Sequence, residues 1–252
     1  MENPQRLVLT LARMAALGLL LRSKGAAWHF SGMLLTALWI APTLRRNCQW
    51  HGPVLTRFST PRKEVWLTID DGPHPDSTPA FLDVLDQFGA KATFFVIGRQ
   101  VEAHRSLCRE MIQRGHSIEN HSASHPSAIW WALPPCLVRR EILSASDAIR
   151  AATGQRPQFF RPPVGMCSSG VHPVAIETGL SVIGWSASGS DGCARAPSAV
   201  LESILPQISP GAIVLLHEGD RARQRILTLS LLLESLQREG YHCVIPSPAD
   251  LS

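Results

Sequence analysis

Between residues 65 and 245, short apolar runs rich in β-prone side chains alternate with longer stretches of amphipathic, helical periodicity. This alternation is typical of β-α units repeated around a parallel sheet or barrel. At 252 residues with a hydrophobic content of 45%, the chain can bury one substantial core, and two large domains would not fit comfortably. The sequence therefore predicts one α/β domain with a short extension.

Seven apolar runs are predicted to be strands separated by helices. They cover residues 65–69, 92–97, 117–119, 158–160, 182–185, 212–216 and 243–245. Thr78-Pro79 predicts the start of the first helix, since threonine caps helices and proline is favoured in the first turn.

Polar residues with catalytic potential follow the ends of the predicted strands. They are Asp70, Asp71, His121, His125, Arg161, Asp191 and His217. Active sites of α/β barrels assemble at this carboxyl edge of the strands. The sequence therefore predicts that these residues form one candidate site.

Asp70 and Asp71 are adjacent carboxylates directly after an apolar strand. They would repel each other unless a positive charge separated their roles, and a metal ion would do so. The alternative is a simple turn that ends the strand, because Asp-Gly-Pro is good turn chemistry.

His121 and His125 are four residues apart, a spacing that predicts two imidazoles on one face of a helical turn. With a carboxylate from another strand end they would form a two-histidine, one-carboxylate metal site with positions open for water. The alternative is a polar surface without a ligand role.

Four motifs resemble those of the polysaccharide deacetylase (NodB-like) family, carbohydrate esterase family 4, in order and approximate spacing. They are Thr-Ile-Asp-Asp-Gly-Pro at 68–73, His-Ser-Ala-Ser-His-Pro at 121–126, Arg-Pro-Pro-Val-Gly at 161–165 and Leu-Leu-His at 215–217. The resemblance implies a distorted (β/α) barrel of the NodB-homology type. It also implies a divalent cation, usually zinc or cobalt.

The resemblance assigns a metal and a base to the first two motifs. Asp71, His121 and His125 would hold the metal, and Asp70 would take a proton from the metal-bound water. Arg161 would orient Asp70, although a surface ion pair is the alternative for that arginine. This division is physically sensible, because the ion neutralises Asp71 while Asp70 keeps a basic lone pair.

The remaining motifs supply the oxyanion site and the acid. The metal and the backbone N–H of Val164 would stabilise the oxyanion, with Pro163 and Leu215 in the same substrate-binding wall. His217 would protonate the leaving amine and Asp191 would hold it charged and aligned. The alternative for His217 is a core histidine at a strand end.

The sequence departs from the family pattern at two positions. Val164 stands where the family commonly has an aromatic residue. A further family motif usually has a tryptophan after its acidic residue, and that tryptophan is missing after Asp191. We therefore expect a substrate groove of different shape beside the acetyl group. Substrate identity is affected more than reaction type.

The first part of the chain has its own character. Nine basic and no acidic residues lie between Asn3 and Lys63, whereas the whole chain has a net charge of +4. Apolar runs at 7–21 and 26–42 are shorter than the ~20 residues of a spanning helix. Arg13 interrupts the first run, which predicts an amphipathic helix on an anionic membrane surface.

Three alternatives remain for this region: a span, an uncleaved export signal, or a helix packed on the domain. We place the boundary near residue 60, so that residues 1–60 form an apolar, basic extension and residues 61–252 the catalytic domain. The expected location is membrane-associated, at a bacterial inner membrane, with either side of the membrane open.

Other site types find little support in the sequence. The basic residues lack interleaved aromatics, and there is no helix-turn-helix, zinc-finger or RNA-recognition signature, so no nucleic-acid partner is predicted.

The six cysteines are scattered without Cys-x-x-Cys spacing. Reduced thiols are expected, with disulfides and compartment left open.

The sequence therefore predicts a hydrolase of carbon–nitrogen bonds other than peptide bonds. Its expected reaction is metal-dependent removal of the N-acetyl group of an amino sugar in an oligo- or polysaccharide. One alternative is a deacetylase or deformylase of a lipid-linked sugar. A second is a non-catalytic carbohydrate-binding relative.

Overall fold

The computed structural model describes residues 40–193 and 195–251. Eight parallel strands lie within these residues. They are β1 (Glu64–Asp70), β2 (Ala92–Val96), β3 (Ser117–Asn120), β4 (Phe159–Phe160), β5 (Ser181–Val182), β6 (Ala187–Ser188), β7 (Ala212–His217) and β8 (His242–Cys243). The strand order is β5-β4-β3-β2-β1-β7-β6, and β8 pairs with the first two residues of β1.

Seven α-helices surround the sheet in the described part of the chain. They are α1 (Thr78–Gln87), α2 (Gly98–Ala103), α3 (Arg105–Gln113), α4 (Pro135–Thr153), α5 (Val171–Thr178), α6 (Pro197–Ile204) and α7 (Ala222–Arg238). The helix α1 begins at Thr78 with Pro79 in its first turn, as predicted, but the N-cap residue is Ser77 and not Thr78. The parallel sheet curves with helices around it, which confirms the distorted (β/α) barrel.

Side chains along the central strands point alternately to an outer core, between the sheet and the helices, and to the barrel interior. Val65, Leu67 and Ile69 of β1 pack in the cluster that includes the helices. Trp66 packs in a second cluster inside the barrel with side chains from the other strands. Asp70 continues the inward-facing set of β1 and therefore points to the mouth of the barrel.

The short strands differ from their predicted positions. The run predicted at 182–185 pairs only over Ser181–Val182, and the run predicted at 243–245 pairs over His242–Cys243. The strand Ala187–Ser188 was not predicted, because two small residues carry no apolar run. In each case pairing with a neighbouring strand decides the ends, and local composition does not.

The segment before β1 packs against the barrel. Val54 and Phe58 are buried, Leu55 bridges Ile183 beside β5, and Arg57 bridges Ala212 of β7. The segment therefore contacts the sheet both beside β5 and at the start of β7. The boundary near residue 60 stays a prediction, with the residues immediately before it in contact with the barrel.

The predicted amphipathic helix at 7–21 and most of the second apolar run lie outside the described residues. Within residues 40–193 and 195–251, no helix has the length and apolar character to cross a membrane. All six cysteines are free thiols.

Candidate active site

Asp70 ends β1 in a buried ion pair with Arg161. Nη1 of Arg161 lies 2.7 Å from Oδ1 of Asp70 and also donates to the Thr68 hydroxyl at 2.8 Å. The guanidinium is fully buried and sits 4.1 Å above the Phe95 ring. Burial lowers the pKa of Arg161, and the neighbouring Asp70 carboxylate opposes that shift. Arg161 therefore fixes Oδ1 of Asp70, while Oδ2 lies 3.6 Å from Nε2 of His121.

Asp71, His121 and His125 form the metal-competent cluster of the described residues. Oδ1 of Asp71 lies 3.6 Å from Nε2 of His121 and 3.6 Å from Nε2 of His125, and the three ligand atoms are within 4.8 Å of one another. That Asp71 oxygen is buried and has no hydrogen-bond partner in the described part of the chain. Two nitrogens and one carboxylate oxygen at these separations fit a single divalent ion.

The backbone around the two histidines corrects one sequence prediction. Residues 121–125 form a loop and not a helical turn, with positive φ at Ser122 (71°) and His125 (49°). Nδ1 of His121 lies 2.7 Å from the Arg161 carbonyl, which leaves Nε2 toward the cluster. Burial and then the charge of His125 lower the pKa of His121 to about 3, so its ring is neutral, as ligation requires.

Buried polar side chains hold this histidine loop in place. The Ser122 N–H donates to Oδ1 of Asn120 at 2.8 Å, and the His125 N–H donates to the Ser122 hydroxyl at 3.0 Å. Glu141 of α4 accepts from both the N–H and the hydroxyl of Ser124, each at 2.8 Å. The loop therefore has a defined geometry despite having no regular secondary structure.

His217 and Asp191 form a second pair on the adjoining strand. Nδ1 of His217 lies 2.9 Å from Oδ1 of Asp191, whose Oδ2 accepts from the His217 N–H at 2.7 Å. Burial alone would lower the pKa of His217, but Asp191, with Asp70 and Asp71, raises it to about 9. His217 is also the register partner of Asp70 across β1 and β7. The imidazolium and the Asp70 carboxylate therefore share one edge of the barrel.

A cavity of about 130 Å³ lies in front of His217. Its lining residues are Arg46, Val164, Trp185, Ser188, Ser190, Asp191, Gly192, Cys193, Leu215 and His217. Val164 has φ 51° and ψ 17°, a left-handed conformation that β-branched residues rarely adopt and that tends to occur at functional sites. Val164 and Leu215 thus line the cavity, whereas Pro163 is buried and does not line it.

Two of the lining residues, Trp185 and Arg46, were not predicted to belong to the site. Trp185 supplies an apolar wall of the cavity. It packs so closely on Gly165 that a Cβ there would lie 2.4 Å from the ring. No local pattern indicates this role, because Trp185 occurs in a run predicted as strand.

Glu218 is a further unpredicted residue behind the metal-competent cluster. It is fully buried and accepts hydrogen bonds from the Ser77 and Thr78 hydroxyls at the start of α1. A Cβ on Gly72 would lie 1.7 Å from Oε1 of Glu218. Burial raises the pKa of Glu218 to about 7, opposed by those hydroxyls. The residue joins the end of β7 to the Asp-Gly-Pro turn.

The comparisons with known proteins agree with this architecture. The family model described as polysaccharide deacetylase matches residues 58–183. The chain belongs to the polysaccharide deacetylase family.

Two relatives illustrate the range of the family. A chitooligosaccharide deacetylase of Bradyrhizobium is 38% identical over 192 residues, which cover 71% of this chain and 87% of the relative. A peptidoglycan-N-acetylglucosamine deacetylase of Bacillus cereus is 31% identical over 207 residues, covering 81% and 96%. A family 4 carbohydrate esterase from Streptomyces lividans, solved in complex with acetate, superposes with a TM-score of 0.68 at 27% identity over 75% of this chain and 96% of that structure.

Proposed function

We propose that this protein is a metal-dependent N-deacetylase of acetylated amino sugars in oligo- or polysaccharides. The observation that carries the proposal is a metal-competent cluster beside Asp70, with His217 at the same edge of the barrel. Asp70 and His217 are register partners at the end of adjoining strands, and Asp71 follows Asp70 directly. Relatives named for removal of acetyl groups from chitooligosaccharides and peptidoglycan support the same reaction.

Asp70 is the proposed general base. Oδ1 is held by Arg161, while Oδ2 lies 3.6 Å from Nε2 of His121, on the side of the metal-competent cluster. A divalent ion held by Asp71, His121 and His125 would polarise the acetyl carbonyl and lower the pKa of water. Arg161 fixes Asp70 in one orientation, so Oδ2 can accept the proton of the attacking water.

His217 is the proposed general acid. Its Nδ1 is bound to Asp191, so the proton on Nε2 is the one available to the leaving amine. The raised pKa keeps the ring protonated near neutral pH. The Val164 backbone N–H is the proposed donor to the carbonyl oxygen, in a turn whose strained geometry fits a functional role.

Zn²⁺ is the proposed native ion, with Co²⁺ as a substitute. Two imidazole nitrogens and one carboxylate oxygen form a donor set that suits zinc and leaves positions for substrate.

We also propose that residues 1–60 attach the catalytic domain to an anionic membrane surface. Nine basic and no acidic residues between Asn3 and Lys63 support this proposal.

Acetate release tests the proposed reaction. The full chain, stripped of metal and then given Zn²⁺ or Co²⁺, is assayed with N-acetylglucosamine oligomers, peptidoglycan glycan strands and a lipid-linked N-acetylated sugar. We expect release from a polymer or oligomer that depends on added metal. Bound metal without acetate from any substrate would contradict the proposal, and formate release from a formylated sugar alone would favour a deformylase.

A further inference from the structure

Arg46 is a cationic side chain at the active-site cavity that lies outside the residues matched by the family model. It lines the cavity together with His217, Asp191 and Trp185, and its side chain is exposed. The family model begins at residue 58. Arg46 therefore reaches the catalytic edge from the segment that precedes the residues matched by the family model.

The backbone at Arg46 is held against the turn that bears Val164. Arg46 forms an antiparallel bridge with Met166, and the Asn47 N–H donates to the Gly165 carbonyl at 2.9 Å. The Asn47 side chain also donates to the Trp185 carbonyl at 2.9 Å. These contacts fix the backbone from which the Arg46 side chain reaches the cavity lining.

The charge of Arg46 is not neutralised within the described residues. It forms no ion pair there, and Glu2 is the single acidic residue in the stretch that precedes it. Asp191, the carboxylate in the cavity lining, uses both oxygens to bind His217. The cavity lining therefore includes a cationic residue that has no ion-pair partner among residues 40–193 and 195–251.

We propose that Arg46 binds an anionic group of the substrate, either a carboxylate or a phosphate, near the sugar that carries the acetyl group. The inference rests on the proposed function and narrows its substrate class to anionic acetylated amino sugars. A guanidinium matches the paired oxygens of carboxylates and phosphates, and such charged hydrogen bonds are stronger than neutral ones. A neutral N-acetylglucosamine oligomer would leave this contact unused.

Three substrates separate the possibilities: a neutral N-acetylglucosamine oligomer, a glycan whose neighbouring sugar carries a lactyl carboxylate, and a prenyl-phosphate-linked N-acetylglucosamine. For the zinc-loaded full chain, we expect kcat/KM to be higher on one anionic substrate. In R46Q, kcat/KM on that substrate should fall about 10- to 100-fold, as expected for loss of a charged hydrogen bond, and stay within about twofold on the neutral oligomer. The preferred anionic substrate identifies the group as carboxylate or phosphate.

Arg45→Gln is the matched control, because Arg45 is adjacent and exposed but does not line the cavity. This variant should match wild type on all three substrates. Equal kcat/KM of wild type and R46Q on every substrate, or an equal loss on neutral and anionic ones, would overturn the inference while leaving the deacetylase intact. No acetate from any substrate by the zinc-loaded wild type would overturn the proposed function and this inference with it.

Discussion

Asp70 and Asp71 are neighbours in the chain, yet their carboxylates have different environments because the backbone turns between them. Asp70 ends a strand and pairs with Arg161, whereas Asp71 has φ 78° and faces His121 and His125. Aspartate tolerates this left-handed conformation better than most residues. The turn thereby separates a proposed base from a proposed metal ligand.

The two aspartates should respond differently to the same substitution. Asp70→Asn should retain bound Zn²⁺ and lose about 100-fold or more in kcat, because it removes a general base. Asp71→Asn should lose metal affinity, since it removes a charged ligand. Metal content and acetate release, measured on the same samples, distinguish the two effects.

Asp76→Asn is the control for this pair, because Asp76 is exposed in the loop that follows. It should behave as wild type in both measurements. Full activity in Asp70→Asn, or unchanged zinc affinity in Asp71→Asn, would contradict the assigned roles.

The proposed acid, His217, predicts the alkaline limb of the pH profile. His217 must be protonated to act, and its pKa is raised to about 9, so kcat should fall as pH rises through that region. A metal ion bound by Asp71 would cancel part of the attraction between that carboxylate and the His217 imidazolium. The limb would then lie at a lower pH. Asp191→Asn removes the main raising contact and should shift the limb to lower pH. A limb that stays in place in Asp191→Asn would argue against the pair.

At the residue scale, local motifs predicted much of the site, but contacts between distant segments did not leave a local pattern. The strand-end aspartates and histidines converge as predicted because parallel strands present their carboxyl ends at one edge. The helical turn at His121 was wrong, because Asn120 and Glu141 stabilise a loop there. Arg46 reaches the cavity through pairing with Met166, which no local spacing reveals.

At the scale of elements, the connection from the N-terminal segment to β7 depends on a glycine. Gly211 precedes β7 with φ 78°, and its carbonyl accepts from the Phe58 N–H at 2.9 Å. A Cβ at this position would lie 2.0 Å from the Phe58 carbonyl oxygen. Neither the backbone conformation nor the close approach tolerates a side chain.

Gly211→Ala should therefore destabilise the protein more than a glycine-to-alanine substitution that only strains the backbone of a turn. Gly154→Ala is the matched control, since Gly154 has φ 76° but nothing within 4 Å of its Cβ position. The control should lower the free energy of unfolding by about 1–2 kcal/mol. The Gly211 variant should lose about 1–3 kcal/mol more, from overpacking. Equal urea midpoints and slopes for the two variants would contradict the packing argument.

The long strands were predictable, and the two-residue strands were not. The apolar runs before Asp70 and His217 each form a strand with several paired residues and with apolar side chains on both faces of the sheet. Composition alone therefore predicts these two strands. The pairs Ala187–Ser188 and Ser181–Val182 depend on their neighbours in the barrel. Their position follows from tertiary contacts, which override weak local propensity.

At the scale of the whole molecule, the basic N-terminal residues predict binding to anionic membranes. The full chain should float with vesicles containing anionic phospholipid and remain unbound with zwitterionic vesicles, and added salt should weaken the binding. Replacing Arg6, Arg13, Arg22 and Lys24 with glutamine should reduce the bound fraction. The control replaces Arg139 and Arg150, which are exposed on α4. Equal flotation with both vesicle types would contradict the surface proposal.

Titration of the metal-free full chain with Zn²⁺, with acetate release followed on an N-acetylated oligosaccharide that the enzyme accepts, tests the central claim most directly. The described residues contain one cluster that combines two histidines with an aspartate at ligand distances. The rate should therefore rise with added Zn²⁺ and level off at one ion per chain. Full acetate release without metal, or a filled site with no acetate, would contradict a metal-dependent deacetylase.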